Sequence, residues 1–193
     1  MKRYIEFKKK KYKKLELKIY PTISFQFVLS KMDLINFIGS GIPSEHIVYA
    51  VLELLNNSLR AHRKKHIKKP ISLEFTTLSE GFEIVIRDWG GGFDLHSLPY
   101  NLDAEIDEIN IHDEKFEQYR QENNYKKFGL GLYLARKTFP VFELSFFDRN
   151  RGRAAWSPGN TAGTEIRLRT SPSEDVYQIQ ADPEVLYEKQ ENI

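Results

Sequence analysis

Between residues 71 and 88 the chain alternates apolar and polar side chains in two runs, 71–78 and 82–88, broken only by Ser79-Glu80-Gly81. Side chains on a strand point to opposite faces in turn, so each run reads as a strand with a buried face and the break reads as a hairpin. A hairpin in the middle of a chain commits it to an antiparallel sheet, and the rest must extend that sheet or pack on it. Leu15, Leu17 and Ile19 alternate with polar residues over 14–20, a further strand closed by Pro21. Residues 141–147, 154–156 and 165–169 read as three more strands. Elsewhere the spacing is helical. Phe25, Val28, Leu29, Met32, Ile35 and Ile38 predict one helix over 25–38, stopped by Gly39-Ser40-Gly41. Pro43 and Ser44 open a longer helix over 47–66, with Val48, Val51, Leu52, Leu55 and Leu59 on its apolar face, and Pro140 ends a third over 130–139. This order of elements predicts an α+β two-layer sandwich, with helices on one face of a mixed, mostly antiparallel sheet.

At 193 residues, 40% of them apolar, the chain can bury one ordinary core. No apolar stretch approaches the roughly 20 residues of a membrane span. The lysine-rich start lacks the apolar segment of a secretory signal, so the expected location is cytoplasmic. Cysteine is absent, which excludes a disulfide framework, a thiolate zinc site and a cysteine nucleophile. The net charge of +2 hides an asymmetry: Lys2, Arg3, Lys8 to Lys11, Lys13 and Lys14 crowd one end, and Glu174, Asp175, Asp182, Glu184, Glu188 and Glu191 the other. Residues 1–13 read as a solvated, partly disordered basic arm, 14–170 as the domain, and 171–193 as an acidic, flexible tail or partner contact. The arm carries charge suited to several anionic partners, but nucleic acid is not expected of it.

Four short segments carry chemistry. Glu53 and Asn57 lie four apart on the long helix, hence on one face, where a carboxylate and an amide oxygen can hold a water and a hydrated cation. Asp88 ends a strand and runs into Trp89-Gly90-Gly91-Gly92; the glycines let backbone approach a ligand, and the carboxylate can accept from an exocyclic amine such as that of adenine. Gly129-Leu130-Gly131-Leu132 opens a helix whose free N–H groups suit phosphate, with Lys126 and Lys127 just before as countercharge. Thr164, after Gly163, opens the last strand, where its hydroxyl can reach the same base as Asp88. Taken singly, each is also compatible with a solvated stripe, a tight turn or an ordinary helix start. His62, His66, His96 and His112 read as helix-surface or loop residues.

Taken in order, the segments resemble the N, G1, G2 and Gly-Thr boxes of the superfamily that unites gyrase, the heat-shock chaperone ATPases, histidine kinases and mismatch-repair ATPases (the GHKL or Bergerat fold). The match falls on Glu53, Asn57 and Ser58; on Asp88, Gly90 and Gly92; and on Gly129 to Leu132, within residues 44–169. Phe116 to Arg120 looks like the aromatic box of histidine kinases, inside a lid over 95–128. The resemblance implies Mg-ATP: Asn57 on magnesium, Asp88 and Thr164 on adenine, backbone from Gly129 to Gly131 on the phosphates, Arg60 facing them, and Glu53 orienting or deprotonating the attacking group. Trp89 departs from the family's usual Asn, and Phe128 from its usual small residue. The expected function is a signalling phosphotransferase acting on a partner protein, near the free-standing anti-sigma-factor serine kinases. A nucleotide-gated binding module and a detached histidine-kinase catalytic domain stay open as alternatives. About fifty residues precede the N box and only His46 among them is a histidine, so a phospho-accepting hairpin would have to lie on another chain. Homodimerisation is left open.

Overall fold

The hairpin that organises the sequence also centres the structure, a computed structural model describing residues 2–122, 130–171 and 185–186. The strands are β1 (Tyr4–Phe7), β2 (Lys10–Tyr12), β3 (Lys14–Ile19), β4 (Ile35–Ile38), β5 (Ile71–Leu78), β6 (Gly81–Asp88), β7 (Val141–Phe147), β8 (Arg153–Ala154), β9 (Gly163–Arg169) and β10 (Val185–Leu186). The helices are α1 (Phe25–Met32), α2 (Ser44–Lys64), α3 (Glu114–Glu122) and α4 (Leu130–Thr138), with short 3-10 turns at Leu95–Ser97 and Ile106–Glu108. A seven-stranded sheet runs β10-β3-β5-β6-β9-β7-β8, and a small sheet runs β2-β1-β4. Every pairing is antiparallel except that of β10 with β3. The fold is the expected α+β sandwich. No helix among the described residues is long and apolar enough to cross a membrane.

The core lies between the large sheet and α2. Leu15, Ile71, Leu73, Phe75, Ile84 and Leu168 point inward from the strands to meet Val51, Leu55 and Leu59 of α2, all essentially inaccessible to water. Each such side chain contributes roughly 1.5–3 kcal/mol relative to leaving it exposed. The sheet's other face is polar, as a single-covered antiparallel sheet requires. Charge pairs tile it: Arg167 reaches Glu83 at 2.9 Å and Glu165 at 3.3 Å, Arg169 reaches Glu83 at 3.0 Å, and Lys14 reaches Glu74 at 3.0 Å.

Two expectations about the first forty residues are corrected. The basic arm is a β-hairpin: Phe7 pairs with Lys10 across a two-residue turn, and Ile5 and Phe7 are buried in the core. Its turn residues, Lys8 and Lys9, have φ of 50° and 65°. That is the double positive φ of the tight primed turns, usually signalled by Asn or Gly, and lysines gave no such signal. Arg3 is not free either; it donates to the carbonyls of Gly39 and Ser79. The helix expected over 25–38 ends at Met32, and Ile35–Ile38 is β4, paired with β1. Ile35 fits both periods, Ile38 extending the helical one and Phe37 the strand one, and pairing with a strand thirty residues earlier decides between them. Ser44, expected as part of a helix start, spends its hydroxyl on the Phe37 N–H at 2.9 Å, tying α2 back to β4.

The remaining elements fall close to their expected bounds. The strand expected at 154–156 lies one residue earlier and is shorter, at Arg153–Ala154. Within the lid expected over 95–128, the described part carries two 3-10 turns and α3. Phe116, from the aromatic box, is buried and stacks on Tyr100, with ring planes 4° apart, and Tyr100 meets Tyr133 of α4 edge-on. Arg136 of α4 donates to the Ala104 carbonyl at 2.7 Å. These contacts dock the lid onto α4.

Candidate nucleotide site

α2 and the end of β6 face one another across a small cleft. Antiparallel register sets Asp88, the last residue of β6, directly opposite Thr164 near the start of β9. Both are buried. Helical spacing on α2 brings Leu54, Asn57, Ser58 and Ala61 to the other side. With Gly90, Gly92, Phe93, Leu132 and Ile166 these residues line a cavity of about 80 Å³. A larger cleft, about 760 Å³, lies on the open face of the sheet and is lined by none of the expected site residues. Size is the poorer guide here, because the small cavity is where buried polar groups converge on apolar walls.

Asp88 is held from two sides. Ser58 donates its hydroxyl to Oδ2 at 2.8 Å, and the Gly90 N–H donates to Oδ1 at 2.7 Å. Burial pushes its carboxyl above the ordinary 3.8, while those two donors, His62 and Lys65 pull the other way. Each oxygen keeps a lone pair, so the carboxylate can still accept from a ligand amine. Glycine is required close by: a Cβ on Gly90 would stand 2.9 Å from Asp88 Oδ1 and 2.8 Å from Ala61 Cβ. Gly92 has φ of 62° and faces Phe146 and Trp156, leaving no room for a side chain.

α4 brings its first turn against the same stretch of α2. A Cβ on Gly131 would lie 3.1 Å from the Asn57 side-chain nitrogen and 3.3 Å from Glu53 Cβ. Glycine there lets the helix start approach the Glu53–Asn57 face, putting the amide and carboxylate beside the N-terminal end of a helix dipole. Of the expected residues, the cleft therefore gathers Asn57, Asp88, Gly90, Gly92 and Thr164. Glu53, Leu130 and Gly131 sit next to it without lining it, and Arg60 is half-buried on α2 away from its walls. Lys126, Lys127 and Gly129 lie outside the described residues.

The chain matches the histidine kinase-like ATPase domain family over residues 40–153, more than half its length. It belongs to that family. The matched stretch runs from the turn before α2 to β8 and so contains α2, the β5–β6 hairpin, the lid and α4. No curated protein matches the chain.

Within this histidine kinase-like ATPase domain, sequence reasoning placed one residue wrongly. His62, read as a helix-surface residue, is fully buried. Its Nε2 accepts the Trp89 N–H at 2.8 Å, and Nδ1 lies 3.1 Å from the Lys69 carbonyl. With Nε2 accepting, the proton sits on Nδ1 and the ring is neutral, in keeping with burial pushing its pKa below 6.5. His62 thus pins the turn that follows Asp88, and its Nε2 lies 4.0 Å from Asp88 Oδ1. Its helical position, seven residues after Leu55 and three after Leu59, was the available signal. Lys65, donating to the Gly90 carbonyl, adds a second clamp on the same turn.

Proposed function

We propose that this histidine kinase-like ATPase domain binds Mg-ATP in the cleft between α2 and the β6–β9 pair and passes phosphate to a partner protein. The observation that carries the reading is the convergence of Asp88, Thr164 and Asn57 on one small cavity at the start of α4. Asp88 supplies an ionic acceptor for the adenine amine, with Thr164 across the ladder as its second polar contact. Leu54, Phe93, Leu132 and Ile166 supply apolar walls for a flat base. The donor set beside α4 also fits magnesium, a hard cation that takes few protein oxygens and keeps waters and phosphates. Asn57 offers an amide oxygen, and Glu53 a carboxylate one turn away on the same face. Bound magnesium would neutralise phosphate charge; the chain's own part is to position. Backbone N–H groups at the start of α4 hold the phosphates, and Glu53 orients the acceptor's attacking atom and takes its proton as the terminal phosphoryl group moves from ATP to that atom, with ADP as the leaving group.

The test is thermal unfolding with ATP, ADP and GTP, with and without magnesium, followed by labelled-phosphate transfer to candidate partners. A nucleotide at 100 times its Kd adds about 2.7 kcal/mol to stability. Asn57→Ala should lose the magnesium-dependent part of the shift and Asp88→Asn the whole adenine-specific shift. Glu53→Gln should keep the shift and lose transfer. No stabilisation by any nucleotide sinks the binding reading. Stabilisation with no transfer to any partner leaves the lid, docked through Tyr100, Phe116 and Arg136, as a nucleotide-gated binding element.

A further inference from the structure

α2 grips the turn that leaves β6 at three successive residues. Ser58 and His62, one helical turn apart and so on one face, take the first two: Ser58 donates to Asp88 Oδ2, and His62 Nε2 accepts the Trp89 N–H at 2.8 Å. Lys65 takes the third, donating to the Gly90 carbonyl. Behind the ring, Nδ1 of His62 donates to the Lys69 carbonyl at 3.1 Å. A serine hydroxyl does not titrate near neutral pH and an ammonium holds its proton there. An imidazole is the one grip of the three whose hydrogen-bonding sense a proton can reverse.

Protonation at Nε2 acts in one direction. That nitrogen has a single lone pair, and the Trp89 N–H occupies it. A proton there turns the acceptor into a donor and sets N–H against N–H. The same nitrogen lies 4.0 Å from Asp88 Oδ1, so the new cation is drawn to the carboxylate that an adenine amine needs. Both effects work against the ligand. Among the described residues, Asp88 faces the ring from β6, and Lys65, on α2 itself, acts on Asp88 from the side of Gly90. Lys69, just before β5, meets the ring through its carbonyl and places its ammonium 3.6 Å from the centroid of the Trp89 ring system. Burial outweighs the attraction of Asp88 and holds the ring below 6.5. The grip is therefore whole at neutral pH and is released on acidification.

On the Mg-ATP reading of the cleft, we propose that His62 is a positioning residue for the adenine end of the nucleotide, a neutral acceptor that keeps Asp88 presented to the ligand, and that a proton taken from solvent at Nε2 weakens nucleotide binding. His62 acts through the Trp89 N–H and Asp88 and not on the ligand itself. Binding linkage is reciprocal, so bound nucleotide must oppose the same proton.

Calorimetric titration of the full chain with Mg-ADP tests this in the parent, His62→Gln and His62→Phe. Glutamine offers an amide oxygen where Nε2 stood and does not titrate, and phenylalanine fills the space without an acceptor. At about pH 7.5 the Kd of His62→Gln should lie within about twofold of the parent and that of His62→Phe roughly tenfold higher, the order of a donor left without its partner. Between about pH 7.5 and about 5 the parent's Kd should rise at least about fivefold more than that of His62→Gln, whose remaining pH dependence belongs to Asp88 and the nucleotide phosphates. By nitrogen-15 NMR of the ligand-free parent, the Trp89 amide should titrate together with the His62 ring, and saturating Mg-ADP should move that titration to lower pH. Neither of these last two readouts needs His62→Phe to fold. Equal pH profiles in the parent and His62→Gln, or a ring titration that Mg-ADP leaves in place or raises, would overturn the role of His62 while nucleotide binding stands. No binding of Mg-ADP by the parent at any pH would overturn the nucleotide reading and the role of His62 together.

Discussion

Asp88 and His62 sit 4.0 Å apart with their charge states pushed in opposite senses by the same burial. Asp88 is raised above 3.8, so it favours the folded state at low pH and that contribution is lost as pH rises through the folded value. His62 is lowered below 6.5, so its contribution is complete above about 6.5 and is lost as pH falls through the folded value. Between these limits the two slopes oppose. Denaturant titrations from pH 7 down to about 4 should therefore show Asp88→Asn losing stability on acidification more steeply than the parent, and His62→Gln losing less. At neutral pH Asp88→Asn should leave the ligand-free protein as stable or slightly more so, because an amide can still meet Ser58 and Gly90 without a buried charge. A large loss of stability in that variant would make Asp88 a structural residue. At the exposed turn of the N-terminal hairpin, Lys9 holds φ of 65°. Lys9→Gly should raise stability by about 1 kcal/mol, the order of the left-handed penalty it removes, and urea midpoints would show it.

The elements that position the site are those with strong local signals. α2 carries a repeating apolar face, and β5 and β6 carry strict alternation around a Gly turn; their pairing follows with little choice. The elements that needed the rest of the chain are β1, β2 and β4. Lys8-Lys9 hides its hairpin behind two ordinary lysines, and Ile35-Asn36-Phe37-Ile38 is too short to separate a strand from the end of a helix. β1 and β4 nonetheless send side chains into the core: Ile5 is inaccessible, and Phe37 lies 5.4 Å from Phe75 and 5.3 Å from Phe82. Ile5→Ala should cost about 2–5 kcal/mol. A cost near zero would return residues 1–13 to the status of a dispensable arm.

For the molecule as a whole, those same Phe contacts join the small sheet to the large one through a shared core. Calorimetry should then give one unfolding transition whose van't Hoff and calorimetric enthalpies agree, the signature of a two-state domain. Two transitions would make the β2-β1-β4 sheet a separate unit. The layered arrangement also divides the molecular surface by purpose. The helix layer and the β6–β9 pair enclose the polar cleft, and the opposite face of the sheet carries the charge pairs.

The sequence by itself determined the α+β sandwich, the order of the boxes and the presence of Asp88, Asn57 and Thr164, because periodicity, glycine spacing and residue type are local and survive without coordinates. Which of those residues share a cavity was decided by tertiary structure: register sets Thr164 against Asp88, and a glycine at 131 lets α4 reach Asn57. The role of His62 was decided there too. Along the chain it is one histidine near the end of a basic helix; only packing of that helix on β6 removes it from water and gives both its nitrogens a partner. The physical reason is the same in each case. Burial and hydrogen-bond geometry belong to pairs of residues far apart in sequence, and no single segment encodes them.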